Sequence, residues 1–259
     1  MQGADRVTSN LVLLHNASLL EANAGLISGD LTAESGYDTN TIICSDRNNY
    51  FKASSETSSI NFRCKFNTAQ AINYLYITRA KMIVADALGD YIHLTLQADS
   101  EPTFESDDLI TDVFNHEINL IGDDYILETA FTGTYNYTKL TLNTYQETLA
   151  FRLGMIYVGA WLDLGDPKFS LSYDKVANGD TSRFQKRNIT LSWQDLTFTQ
   201  KLAFENYIKK YKHIAPVVLY DRNDLIFGGD KCVQCVLSSA NITITEMENY
   251  NIDATFVEI

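Results

Sequence analysis

The sequence predicts a mainly β protein, an antiparallel jelly-roll sandwich followed by a small α+β module, and three observations carry that prediction. Short alternations of apolar and polar residues recur from Leu11 to about Leu164, a period of two that suits half-buried strands. Helical periodicity is nearly absent from that stretch, so its strands pair antiparallel rather than through crossover helices. A strong helix signal arrives at Thr197, inside a region that begins and ends with strands.

Taken in order, Ile60, Phe62, Cys64 and Phe66 alternate with Asn61, Arg63 and Lys65. Tyr74–Ile77 and Met82–Ala85 follow, and alternation resumes in Tyr91–Gln97, Tyr125–Phe131 and Tyr137–Leu142. Turns are expected at Gly89-Asp90, Gly122-Asp123 and Gly133. The pattern changes at Asp166-Pro167, and a polar stretch runs from Asn178 to Arg187. The expected division is therefore a sandwich over residues 1–167 and an α+β module over 168–259. In the second, Ile189, Leu191 and Trp193 share one side of a strand. Thr197 and Gln200 have the spacing of a capping box, followed by Leu202, Ala203, Tyr207, Ile208 and Tyr211 as an apolar stripe. Lys209, Lys210 and Lys212 favour the helix C-terminus, and Pro216 stops the helix before Val217–Tyr220. Ser239–Thr245 and Tyr250–Phe256 close the chain as strands, the latter with Tyr250, Ile252, Ala254 and Phe256 on one side. So many strands in so small a module invite pairing with a neighbour.

The 259 residues carry 20 Lys and Arg against 33 Asp and Glu, a net charge of −13. That balance argues against wrapping nucleic acid and against an anionic membrane surface, both of which need clustered basic residues. No apolar run approaches the roughly 20 residues of a membrane helix, and the early stretch Asn10–Leu20 is interrupted by His15, Asn16 and Ser18, unlike a secretory signal. Among the four cysteines, Cys232 and Cys235 form a C-x-x-C. No second ligand pair accompanies them for zinc, and the segment reads as a strand rather than the helix start of a redox site. The N-x-S/T sequons at Asn16, Asn136, Asn188 and Asn241 fit chance in a chain rich in Asn and Thr.

Enzymatic motifs are sparse: the sequence has no phosphate loop, nucleophile elbow or H-E-x-x-H zinc motif. His15, His93, His116 and His213 are scattered without a nucleophile nearby in sequence. Asp107-Asp108 and Asp123-Asp124 sit near turns, where carboxylates can hold calcium or serve a hydrolase, but acidic turns also keep so acidic a protein dissolved. No catalytic, metal or cofactor site is expected.

Two stretches resemble known families. Asn10-Leu11 onward, through Asn48-Asn49-Tyr50-Phe51-Lys52-Ala53, Ser59–Phe66 and Tyr74–Thr78, closing with Phe151–Gly159, is similar to a galactose-binding-like (discoidin-type) jelly roll. The closing string also resembles the late strand of jelly rolls in bacteriophage tail proteins. Ile189–Trp193, Leu196-Thr197 with its helix, Pro216–Asp221 and Asn249–Ile252 are similar to the C-terminal module of phage tail-tip and baseplate proteins. The second resemblance implies a distal-tail-like structural protein of the virion, assembled in the host cytoplasm. It would form a ring of its own copies and join the tail tube to receptor-binding components. Trp193, Tyr207 and Tyr211 are the candidate self-association anchors. The first resemblance implies an alternative, a carbohydrate-binding module with Asp46, Arg47 and Tyr50 as its sugar loop.

Overall fold

The computed structural model describes residues 9–15, 17, 28–29, 51–52, 59–78, 81–83, 92–104, 112–116, 125–129, 131–144, 150–154, 156–173, 186–211, 216–223, 226–227, 231–245 and 249–259. The strands in chain order are β1 (Leu11–Leu14), β2 (Ser28–Gly29), β3 (Phe51–Lys52), β4 (Ser59–Ala71), β5 (Tyr74–Ile77), β6 (Lys81–Ile83), β7 (Ile92–Asp99), β8 (Asp112–His116), β9 (Tyr125–Glu128), β10 (Thr134–Thr144), β11 (Ala150–Leu153) and β12 (Ile156–Gly159). They continue as β13 (Trp161–Leu162), β14 (Lys168–Tyr173), β15 (Arg187–Leu196), β16 (Val217–Asp221), β17 (Cys232–Ile244) and β18 (Tyr250–Glu258), with helix α1 (Phe198–Tyr211) between β15 and β16. Every ladder among the described residues is antiparallel.

Two compact units result, and they are not divided as the sequence predicts. Asn16–Ala160 form one, while Met1–His15 and Trp161–Ile259 together form the other. The boundary expected at residue 167 lies at 160, and the opening strand belongs with the C-terminal module. The reason is pairing: β1 lies between β13 and β16, with Leu11 opposite Asp221 and Leu14 opposite both Val218 and Trp161. The sandwich is thus an insertion between two neighbouring antiparallel strands, at the place a hairpin loop would take. Insertions are tolerated there because the flanking ladder fixes both chain ends close together.

The inserted unit is the antiparallel jelly-roll sandwich. One layer has the order β2-β4-β10-β7-β8; the other strands form the ladders β3-β11-β6 and β12-β5-β9. β5 and β6 are consecutive, as are β11 and β12, and the two ladders join where Gly154 N donates to Thr78 O at 3.0 Å. The predicted alternation in β4 holds, since Ile60, Phe62, Cys64 and Phe66 are buried. Register extends that apolar row: Phe62 faces Leu140, which faces Leu96, and Ile60 faces Leu142, which faces Leu94. β5 and β12 are buried along their whole length, with Tyr76 and Tyr157 stacked at 5.4 Å.

Among the described residues the second unit is one seven-stranded sheet, β13-β1-β16-β17-β18-β15-β14, with α1. The capping box forms as expected: Thr197 N donates to Gln200 Oε1 at 3.0 Å and Gln200 N to Thr197 Oγ1 at 3.3 Å. The buried stripe of the helix is Phe204, Tyr207 and Tyr211, whereas Leu202, expected in the stripe, is exposed. Trp193 packs on Phe204 at 5.9 Å and donates its indole N–H to Gly165 O at 3.1 Å. Tyr207 and Tyr211 stack at 4.3 Å, and both hydroxyls donate to Leu14 O, at 2.8 and 3.3 Å.

Candidate functional site on the open edges of the α+β unit

Four strands, β17-β18-β15-β14, continue the sheet on the far side of β17 from β16. Their two sides differ sharply. Cross-strand partners in an antiparallel ladder point the same way, so register assigns each residue to a side. One side carries Phe169, Leu171 and Tyr173 of β14, Ile189, Leu191 and Trp193 of β15, Ile252, Ala254 and Phe256 of β18, and Leu237, Ala240, Ile242 and Ile244 of β17. The other side carries Lys168, Ser170 and Ser172, then Asn188, Thr190 and Ser192, with Ser239, Asn241 and Thr243 on β17. Thr190 and Thr255 share a hydroxyl hydrogen bond of 3.3 Å on this polar side.

On the apolar side the two inner strands are fully covered, with the rows of β15 and β18 at the bottom of the core. The outer strands are not. Phe169 is 50% exposed, Tyr173 55% and Ile244 72%, and Phe198 and Leu202 of α1 are exposed as well. Phe198 lies 6.1 Å from the ring of Tyr250, which pairs with Ile244, and Lys201 Nζ sits over both rings at 5.8 and 5.7 Å.

Both outer strands also present backbone that no strand pairs among the described residues. β14 ends the sheet order and is exposed almost throughout. β17 is 13 residues long, but β16 covers it only as far as Cys235, opposite Val217. From Val236 to Ile244 its second edge has no strand beside it among the described residues. Free edges are normally blunted by charge or proline because they template further pairing. Here Val236–Ile244 contains neither. β14 has a single charge, Lys168 at its first position, whose Nζ is held 3.0 Å from Gln194 Oε1.

The base of the layer is fixed by an ion pair. Arg187 Nε and Nη2 donate to the two carboxylate oxygens of Glu258, each at 2.9 Å, and Nη1 donates to Phe227 O at 3.1 Å. Nearby, Cys235 is buried, and its thiol is pushed upward by burial, then by the Glu258 carboxylate, against a smaller downward pull from Arg187. Cys232 and Cys235 sit three apart on one extended strand, so their side chains leave opposite sides of the sheet. That geometry joins the two thiols neither to each other nor to one metal.

The sequence-predicted anchors are corrected by burial. Trp193 is 1% exposed, Tyr207 5% and Tyr211 3%. They hold the helix on its unit and offer no contact area to a second molecule. Asp46, Arg47 and Tyr50 of the expected sugar loop lie outside the described residues, as do Asp107, Asp108, Asp123, Asp124 and His213. His15 is placed, with Nδ1 3.3 Å from the hydroxyl of Tyr211, against the tyrosine pair. The residues that shape the open edges, Phe169, Tyr173, Leu237 and Ile244, were missed by sequence reasoning. The strict alternation of Lys168–Tyr173 could have revealed β14, but it follows directly on the Pro167 punctuation and reads there as boundary.

No family model matches the chain, and no curated protein matches it. Solved structures do resemble it over about half its length. Chitosan-binding module 1 from a chitosanase/glucanase of Paenibacillus sp. IK-5 is similar at 10% identity and a TM-score of 0.43, covering 56% of this chain and 99% of that one. A CBM32 module of a family 89 protein (CpGH89) from Clostridium perfringens is similar at 9% identity and a TM-score of 0.38, covering 56% and 98%. XRCC1, in its reduced form bound to the catalytic domain of DNA polymerase β, is similar at 10% identity and a TM-score of 0.37, covering 54% and 98%. At these identities and scores the likeness assigns no ligand to this chain.

Proposed function

We propose that this chain works by binding and assembly rather than catalysis. Its α+β unit joins copies of the chain to one another, and the inserted jelly roll is a recognition module whose ligand class is carbohydrate. The observation that carries the assembly half is the pair of edges on β14 and on Val236–Ile244 of β17, unpaired among the described residues, with exposed apolar side chains and Lys168 as their one charge. Such edges leave backbone donors and acceptors and apolar side chains in water, and association is what relieves both. The carbohydrate half is supported by the sandwich architecture together with the discoidin-like run Asn48–Ala53 that precedes its long strand β4. In its specific form the reading is an adaptor of a bacteriophage tail tip or baseplate, working in the virion, with other tail proteins as further partners.

Light scattering on the purified chain across a wide concentration range tests the assembly half, with a mass several times the monomer expected. A monomer at every concentration would sink it. A glycan array, including chitosan oligosaccharides and galactosides as probes, tests the recognition half. A sugar that binds the wild type and is lost in Arg47→Ala supports it, while an array with no binder removes it and leaves assembly untouched.

A further inference from the structure

We infer that the two open edges are each other's partners: β14 of one copy adds antiparallel to Val236–Ile244 of β17 in the next. This rests on the assembly reading above and specifies which surfaces meet, in which direction and on which side.

Strand direction comes first. β17, β18, β15 and β14 alternate, each antiparallel to its neighbour. In a run of four alternating strands the first and last point in opposite directions. A second copy set beside the first in the same orientation therefore brings its β17 antiparallel to β14. A two-fold arrangement of β14 on β14 would use one edge and leave both copies of the β17 edge bare.

Sidedness gives the same answer. The apolar residues of β14 and those of β17 lie on the same side of the sheet, as their registers with Ile189, Leu191, Ala254 and Phe256 require. Continuing the sheet in the same orientation keeps that side common to both copies. Phe169 and Leu171 then enter the row of Leu237, Ala240 and Ile242 from the neighbour, apolar against apolar, and Lys168 and Ser170 meet Asn241 and Ser239. Cross-strand matches of this kind are the unit of sheet stabilisation.

Length also fits. Across the sheet, Lys168 is level with Ser192, Asp253 and Asn241, and Ser172 with Asn188, Val257 and Val236. The free part of β17 therefore spans the level of Lys168–Ser172, while Tyr173 is level with Cys235, where Val217 of β16 already lies. A copy placed without a shift along the strands sets Phe169 opposite Ala240, a large side chain against a small one, and Leu171 opposite Leu237. The occupant of each edge is thus a second copy of this chain, in a head-to-tail contact that uses a different surface on each partner.

Disulfide trapping tests this directly. Ser170, Ser239 and Asn241 are exposed on the polar side, the native Cys64 and Cys235 are buried, and Cys44 and Cys232 are replaced by Ser in every variant so that no other thiol competes. The double variants Ser170→Cys with Ser239→Cys, and Ser170→Cys with Asn241→Cys, are oxidised mildly and run without reductant, beside each single variant. A ladder of covalent multimers from either double variant and from no single variant is the expected result. A dimer from Ser170→Cys alone would mean that β14 meets β14, and would overturn the inference. A wild type that associates while neither double variant cross-links would overturn the edge pairing and leave the assembly reading standing. A chain that stays monomeric throughout would remove both.

A mixing experiment is independent of cysteine geometry. Phe169→Lys blocks the β14 edge and Ala240→Lys the β17 edge, both at exposed positions. Each alone is expected to lose the multimer, and an equal mixture to form a heterodimer and nothing larger. Equal mixtures that stay monomeric, or single variants that still assemble, would refute the pairing. Unchanged tryptophan emission from Trp161 and Trp193 verifies that each variant is folded.

Discussion

Gly154→Ala is the sharpest stability test of the jelly-roll unit. Gly154 joins β11 to β12 and donates its N–H to Thr78 O, at the point where the two ladders of that layer meet. A Cβ on Gly154 would stand 2.9 Å from the carbonyl carbon of Thr78, and closer than that to its oxygen and its Oγ1. Carbon atoms in contact prefer about 3.5–4.0 Å, so the strands would have to part by roughly 1 Å. The obstacle is largely backbone, which cannot swing aside as a side-chain tip can. Overpacking costs about 1–3 kcal/mol and a lost buried hydrogen bond about 1–3 more, so a loss of roughly 3–4 kcal/mol is expected. For a unit of this size that lowers its melting temperature by on the order of 10 °C. The assay uses a feature of the sequence: both tryptophans, Trp161 and Trp193, belong to the other unit. Far-UV circular dichroism follows the strands of both units, while tryptophan emission follows the α+β unit. The variant should lose part of its dichroism early. A melting profile within 2 °C of wild type by dichroism would show that Thr78 yields freely and that the contact does not constrain the layer.

Three further outcomes are expected. Arg187→Met removes two charge-assisted hydrogen bonds to half-buried Glu258 and one to Phe227 O; it should cost about 2–3 kcal/mol by tryptophan-monitored urea unfolding, and a cost under 0.5 kcal/mol would make the pair incidental. Burial raises the Cys64 thiol from 9.0 to about 12, so the unfolded chain releases this proton first as pH rises. Stability from this group is complete below about pH 9 and falls by about 1.4 kcal/mol per pH unit from there toward 12; Cys64→Ala should lose that slope, and equal slopes in the two proteins would refute it. Replacing residues 16–159 with Asn-Gly puts His15 and Ala160 on either side of a two-residue hairpin loop, next to the existing Leu14–Trp161 pair. The shortened chain should unfold cooperatively by tryptophan emission, and the absence of a transition would mean the α+β unit needs its insertion to fold.

Much of the fold is legible in the sequence where one side of an element faces water. β4, β15 and β18 show period-two alternation because only one of their sides is buried, and the capping box of α1 is a local signal that local structure satisfies. Strands covered on both sides carry no such rhythm: β1, β5, β12 and β16 are buried at every position and read as featureless apolar runs. The insertion was hidden for a related reason. Nothing near Leu11 marks its pairing with Asp221, because the preference is set by contacts two hundred residues away. The anchors failed on a different point. Trp193, Tyr207 and Tyr211 look the same in sequence whether they meet the chain's own core or another molecule, since residue type states what a side chain prefers to touch and not which surface supplies it. The edges were readable in principle from Lys168–Tyr173 and from the uncharged run Val236–Thr245, but an edge is defined by the neighbour a strand lacks, which register reveals and composition does not.

An open sheet with complementary edges has to end its assembly somewhere. Each head-to-tail contact buries one β14 edge and one β17 edge and leaves one of each at the growing ends, so no finite open chain satisfies all of them. Two outcomes satisfy them: a ring, in which the rotation from copy to copy closes, or a filament, in which it does not. Strand twist contributes a rotation of one hand at every step, about 20–25° between neighbours, so a flat unending ribbon is disfavoured and successive copies must turn. Whether the turn closes is then decided by any shift along the strands. A level register, with Phe169 opposite Ala240, adds no rise and permits closure, whereas a stagger of two residues, near 7 Å, accumulates into a helix. The two cysteine pairs therefore report more than adjacency. Ser170 with Ser239 traps the level register and Ser170 with Asn241 the staggered one, and the light-scattering mass should agree with whichever forms. It should reach a plateau with concentration in the first case and keep rising in the second. A level cross-link accompanied by a mass that never levels off would show that strand register does not govern closure in this protein.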